Sequence, residues 1–353
     1  MREMSRRGTP WAGRAKWPAL AFGSCLLALA VPTPASGAQD CEVRARSSLV
    51  VNVRAKGAKG DGKTNDTTAI QAAIDAVEGT GGTALVPKGI YMIDAVSDNR
   101  LALKSDMTLK LADGATLKVI PNAEKGYLVL HISAVSDVTV IGGTLEGDRK
   151  EHLGKHGQWG MGISIDRQAR NITIAGVTAT KMWGDGFYVD GASNVTFCSV
   201  TADYNRRQGL SIIAADGVVV KNSIFKNTRG TRPNAGIDLE PNDPKDIVTN
   251  VRIENSKFLD NAGAGIILNG KHGRITKVEV ARNVFRGNRP LLIANAPAEI
   301  TSDFCRNRQL TKQEQVSAGF NPYAAPIEVV VHQSDCENIG LEVRRGKAKK
   351  QKP

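Results

Sequence analysis

Aromatic residues make up only 5% of this 353-residue chain, and there are five cysteines and five histidines. No two cysteines stand at the close spacing of a zinc site. His152 and His156 are four apart, but in a stretch without helical periodicity, so zinc is not indicated. Amphipathic helix is nearly absent: only Thr67 to Val77, with Ile70, Ala73, Ile74 and Val77 on one face, repeats at helical spacing. That excludes helix bundles and sheets built by alternating strands with helices. The one long apolar run, Pro18 to Val31, is shorter than the ~20 residues a membrane span needs.

A broad basic face is missing too. The formal charge of +12 sits at the ends, +4 in residues 1–38 and +6 in residues 344–353, leaving +2 for the body. A near-neutral body does not supply the positive surface of a nucleic-acid binder, so nucleic-acid partners are excluded. The last ten residues read as a solvated basic tail.

What is present begins with a targeting signal. Arg2, Arg6, Arg7, Arg14 and Lys16 precede the apolar run, and small residues ending Ser36-Gly37-Ala38 follow it. This is the order of a secretory signal over residues 1–38. The expectation is a secreted or periplasmic monomer with no membrane partner after cleavage. Export permits disulfides among Cys41, Cys198, Cys305 and Cys336. The irregular surroundings of Cys305 and Cys336 favour that pair, with Cys198 a buried free thiol inside a repeated strand.

The middle of the chain is a repeat. MGISID, DGFYVD, QGLSII, AGIDLE and AGIILN align on Gly162, Gly186, Gly209, Gly236 and Gly265, which are 24, 23, 27 and 29 residues apart. A second family of short strands lies between them, from Asn171, Asn194, Gly217, Asn250 and Lys277. Two strand families at that period, without helices, specify an all-β fold, a single right-handed parallel β-helix with one coil per repeat. The helix at Thr67, capped by Asn65 or Asp66, covers its N-terminal end. The domain is expected over residues 39–343, the repeat clearest over 108–290, with residues 291–343 closing the far end. Ile163/Ile165, Phe187/Val189, Leu210/Ile212, Ile237/Leu239 and Ile266/Leu268 alternate inward. Ser164/Asp166, Tyr188/Asp190, Ser211/Ile213, Asp238/Glu240 and Ile267/Asn269 then form outward columns. Asn222 and Asn255 read as an internal asparagine ladder.

NVRAKGAKGDGKTNDTTAIQAAIDA, from Asn52, and GGTALVPKGIYMI, from Gly81, resemble the opening of the pectate-lyase-like β-helix superfamily of polysaccharide-active proteins. That group includes rhamnogalacturonase, polygalacturonase and epimerase-like members, and the resemblance covers roughly residues 50–290. Polygalacturonase-like hydrolases carry Asn-Thr-Asp, Asp-Asp and Gly-His-Gly on successive coils. WGDGFYV puts Asp185 at the first aspartate, whereas NRRQGLSI lacks the aspartate pair and NAGIDLEP lacks the histidine. The resemblance implies carbohydrate chemistry and leaves the reaction open.

Glycoside hydrolysis commonly uses two carboxyl groups, and Asp185, Asp190, Asp238 and Glu240 are the acid and base candidates. Asp190 and Glu240 share a column two coils apart, about 9.6 Å at the backbone. Arg206 and Arg207 enter between them, suited to bidentate pairing with a sugar carboxylate. Tyr188 is a further proton donor or base. The loop from Glu146 to Gly160 supplies Asp148, His152 and Trp159, and Trp159 and Trp183 are candidates to stack on sugar rings. No cofactor is indicated by the motifs, with calcium, as in lyases of similar fold, the ion the acids could bind. The expected function is hydrolysis of an acidic polysaccharide. A lyase or epimerase on the same groove, or a non-catalytic binding or adhesive solenoid, stands as the alternative.

Overall fold

Alternating apolar residues, and single left-handed residues at which the backbone turns, decide each coil. The computed structural model describes residues 41, 43 and 46–288, together with the backbone of Leu292–Asn295, Ile300–Asp303, Arg308–Gln309 and Val329–Val331. Within it the chain winds as a right-handed parallel β-helix whose strands pair with those one coil away. The expected signal, the basic tail, Cys305 and Cys336 lie outside the described residues.

The coils have three faces rather than two. The first stacks Gly126–Ser133, Trp159–Asp166, the first parts of Phe187–Cys198 and Leu210–Lys221, then Ile237–Leu239 and Ile266–Asn269. The second stacks Ser136–Ile141, Arg170–Ala175, the later parts of the same two long strands, Ile247–Glu254 and Arg274–Ala281. The third has three-residue strands through its centre, from Thr144–Glu146 and Thr178–Thr180 to Val284–Arg286. Its strands were hidden at the ends of the second family because the corner is only two residues. Ser199, Asn222, Asn255 and Arg282 take positive φ there. Asn222 and Asn255 are therefore corners, not an internal ladder. Asparagine suits that position because its short polar side chain tolerates left-handed backbone.

The inward residues expected from the alternation are all fully buried. Phe225, Phe258 and Phe285 stack with ring centroids 5.4 and 4.9 Å apart, so one aromatic per coil continues the core along the axis. The internal ladder that does exist consists of Asn205, Asn261 and Asn288, with Ser223, Ser256 and Asn283 in a second row. The aligned glycines are needed for close approach: a Cβ at Gly209 would lie 2.3 Å from the Gly236 carbonyl of the next coil.

Thr67–Asp75, here α1, lies against the first coils and buries Ile70, Ala73 and Ile74 as expected. Asn65 accepts from the Thr67 amide at 3.1 Å. Asp66 turns its carboxylate back to the Lys59 and Gly60 amides, at 2.7 and 3.0 Å. Cys198 is not free: it is bonded to Cys41, with Cα atoms 5.9 Å apart, tying the segment before the first coil to the middle of the solenoid. Past residue 289 the coils continue, since Leu292–Asn295 pairs with Ile266–Asn269, and Val329–Val331 adds another strand. Among the described residues no helix is long and apolar enough to cross a membrane.

Candidate active site

The first face gathers its chemistry where the third face turns into it. Asp185, Arg207 and Gln208 sit in successive turns just before the glycine column, and Asp238 and Glu240 lie on the coil after them. Arg207 is the hub. Its Nη1 donates to Asp185 Oδ2 at 2.8 Å and its Nη2 to Glu240 Oε1 at 2.5 Å. Ser211 Oγ donates to the same Asp185 oxygen at 2.9 Å, and Gln208 Nε2 donates to Asp238 Oδ2 at 2.7 Å.

Asp185, Gln208, Ser211 and Asp238 are almost wholly buried, whereas the Arg207 and Glu240 side chains keep 13% and 11% exposure. Arg207 and Glu240 are therefore the members of the cluster that solvent reaches. Burial pushes the Asp185 carboxyl up to about 6, against the opposing pull of Arg207 and with help from Glu240. Burial and then Glu240 hold Asp238 well above the usual carboxylate range. Burial also disfavours the charge of Arg207, but Asp185 and Glu240 outweigh it and keep the guanidinium above its ordinary value. One oxygen of Asp185 and one of Asp238 are buried without a hydrogen-bond partner. A carboxyl group that keeps its proton fits such a place, since a neutral oxygen costs less to bury than an anionic one.

Other expected residues fall elsewhere. Asp190 is half-buried and raised by burial, Asp246 and Asp166, so it belongs to a neighbouring acidic group and not to the Arg207 cluster. The cause is a bulge: Val189 pairs with Ile212 but Asp190 with Ala214, so the expected column from Asp190 to Glu240 is broken. Tyr188 does join, in register with Ser211. Its phenol is held far above its ordinary value by burial, Asp190, Asp185 and Glu240. Arg207 is not free for a sugar carboxylate, because both terminal nitrogens are already paired. His152 is not at the surface: its fully buried side chain lies 2.8 Å from Asp148 and stacks on Trp183 at 3.8 Å. Trp183 also carries Arg206, 3.8 Å above its ring, so its stacking surface serves the loop. Trp159 remains 51% exposed at the start of its groove strand.

Ser211 and Gln208 were not singled out from the sequence. Ser211 stands two residues after an aligned glycine, as Tyr188 and Asp238 do, and Gln208 stands just before one, as Asp185 does; reading down those columns finds both. His131 and Asp166, 2.8 Å apart with Arg100 donating to the other ring nitrogen at 3.0 Å, form a second polar group on earlier coils of this face. Among the described residues no three acidic, histidine or cysteine side chains converge as metal ligands. Asp185, Glu240 and Asp238 are engaged by Arg207 and Gln208, a donor set that does not fit calcium, which takes six to eight oxygens.

Residues 50–283 match the profile of the rhamnogalacturonase A/epimerase, pectate lyase-like family, and the chain belongs to that family. Alginate lyase 7 of Azotobacter vinelandii is 31% identical over 210 residues, 48% of this chain and 24% of that protein. The mannuronan C5-epimerase AlgE4 of the same organism is 34% identical over 189 residues, 50% of this chain and 33% of that one. The family 28 exopolygalacturonase of Yersinia enterocolitica has the same fold. It superposes with a TM-score of 0.60 at 18% identity, covering 74% of this chain and 59% of its own. The chain spans about half or less of the length of the curated relatives it matches. The curated relatives thus include an alginate lyase and a mannuronan epimerase, and the exopolygalacturonase shares the fold.

Proposed function

We propose that this protein is an exported glycoside hydrolase acting on an acidic polysaccharide, with Asp238 as proton donor and Glu240 as the carboxylate base. The observation that carries the reading is a buried carboxyl, Asp238, held well above the usual carboxylate range beside a carboxylate, Glu240, fixed by Arg207. A carboxyl whose surroundings favour its protonated form suits the role of acid. Asp238, too buried to touch the substrate, passes its proton to the glycosidic oxygen through a water at the Arg207–Glu240 opening as the C–O bond breaks. Glu240 takes a proton from the water that attacks the anomeric carbon, and passing that proton to Asp238 restores the starting state. Asp185 and Ser211 hold Arg207, and so Glu240, in place.

Elimination asks for different groups: a base for the proton beside the sugar carboxylate and an uncompensated cation to neutralise that carboxylate. Arg207 already faces two carboxylates, and Tyr188, with its pKa raised, is a poor base near neutral pH. The test is to incubate the protein with pectins, alginates and bacterial exopolysaccharides, recording reducing ends and the ultraviolet absorbance of unsaturated uronates together. Reducing ends without new absorbance are expected. Both signals rising would replace hydrolysis with elimination.

A further inference from the structure

Arg206 and Arg207 are adjacent but serve different surroundings. Arg207 turns to the carboxyl cluster, whereas Arg206 turns to Trp183 and donates to the Gly157 carbonyl at 2.7 Å. Arg149 comes to the same corner. It donates to the Tyr204 and Asn205 carbonyls at 2.5 and 3.1 Å and lies 4.1 Å above the Tyr204 ring. The coil above supplies Arg229, whose amide donates to the Asn205 carbonyl at 3.1 Å. Gly230, at φ +128°, lets that turn approach: a Cβ there would lie 2.9 Å from Arg206 Cγ and 3.3 Å from Arg149 Nη2.

Among the described residues none of these three guanidiniums meets a carboxylate. Arg149 and Arg206 meet carbonyls and aromatic rings instead. Several basic side chains elsewhere on the solenoid are paired with acids, among them Lys181 with Glu146, Lys226 with Asp203 and Arg286 with Asp260. Arg149 is held below its ordinary value, first by burial and then by Arg206 and Arg229, although Tyr204 opposes the shift. Like charges brought together without a counter-charge cost free energy, which a bound anion recovers.

We propose that Arg149, Arg206 and Arg229 form a subsite for an anionic substituent, carboxylate or sulfate, of a polysaccharide lying along the groove. It stands beside the bond to be cleaved, not at it, with exposed Trp159 two residues from the Gly157 carbonyl that holds Arg206. The inference rests on the function proposed above for what the groove does, and its test reads binding alone.

The experiment is affinity electrophoresis of the full chain in gels containing alginate, polygalacturonate, heparin or neutral dextran. The expected result is retardation by charged glycans and not by dextran, with alginate and polygalacturonate against heparin separating carboxylate from sulfate. Arg229→Ala removes an exposed side chain and should weaken retardation about tenfold, the size of one charged hydrogen bond. Lys257→Ala, the same charge change on the third face, should leave it unchanged. Equal effects of the two variants, or no retardation beyond dextran, would overturn the subsite. Retardation sensitive to Arg229→Ala without any turnover keeps the subsite and removes the hydrolase reading; turnover with no retardation does the reverse.

Discussion

Between residues 185 and 288 the coils carry two stacks of buried polar side chains, one inside the solenoid and one on the first face. Inside, Asn261 donates to the Phe225 carbonyl and to Asn288 Oδ1, and its own oxygen accepts from the Thr228 amide. Asn205 and Asn288 repeat the pattern on their coils. These side chains are neutral and their amide groups are satisfied. On the first face Asp185 and Glu240 share one arginine, Asp238 is bonded by Gln208, and one oxygen each of Asp185 and Asp238 is left without a partner. The coil geometry is the same in both. A polar stack that is neutral and fully bonded stabilises the coils, whereas one that is charged and left incomplete keeps protons and hydrogen-bonding capacity available for a ligand.

The contrast breaks most sharply in turnover. Asp238→Asn and Glu240→Gln should each lower the rate by roughly 10²- to 10⁴-fold, the scale of general acid–base catalysis, with the melting temperature little changed. A collapse of the fold in both variants would assign these acids to the structural class. Arg207→Ala comes next. It leaves Asp185 and Glu240 facing each other without their cation, and denaturant unfolding should show a loss of about 3–5 kcal/mol. The loss should be smaller when Asp185→Asn is already present.

The third test uses pH. The Asp185 carboxyl rises from 3.8 to about 6 on folding, so between those values the native state binds more protons than the unfolded state. Its contribution to stability is complete below 3.8 and is lost as pH rises through about 6. Unfolding free energy measured from pH 3.5 to 7 should carry that decline, and Asp185→Asn should remove it. The smallest effect belongs to the satisfied stack: Asn261→Ala leaves the Phe225 carbonyl and Thr228 amide unpaired, costing about 1–3 kcal/mol with turnover per folded molecule unchanged.

Much of this was legible before any coordinates. Five aligned glycines and the inward pairs after them define the groove face, because parallel stacking at one repeat per coil leaves no other place for alternating apolar residues. The short third face escaped because its strands follow a corner of two residues, too brief to interrupt the alternation. Asn222 and Asn255 were misassigned for a related reason: asparagine serves both interior ladders and left-handed corners, and spacing alone does not separate the two uses. Likewise, the expected column from Asp190 to Glu240 assumed unbroken register, which the bulge between Ile212 and Ala214 removes.

Alternation, glycine spacing and the opening motif by themselves determined a parallel β-helix, its buried core and the face that bears acids and arginines, since these depend on residues near one another in the repeat. The tertiary structure alone decided which of those acids meet. Side chains 22 and 33 residues from Arg207 converge on its two nitrogens, Arg206 turns instead to Trp183 and the Gly157 carbonyl, and Cys41 reaches Cys198 across 157 residues. Those outcomes depend on rotamers, bulges and loop paths between coils, and a linear pattern of residue types does not encode the direction a side chain takes once it leaves the coil.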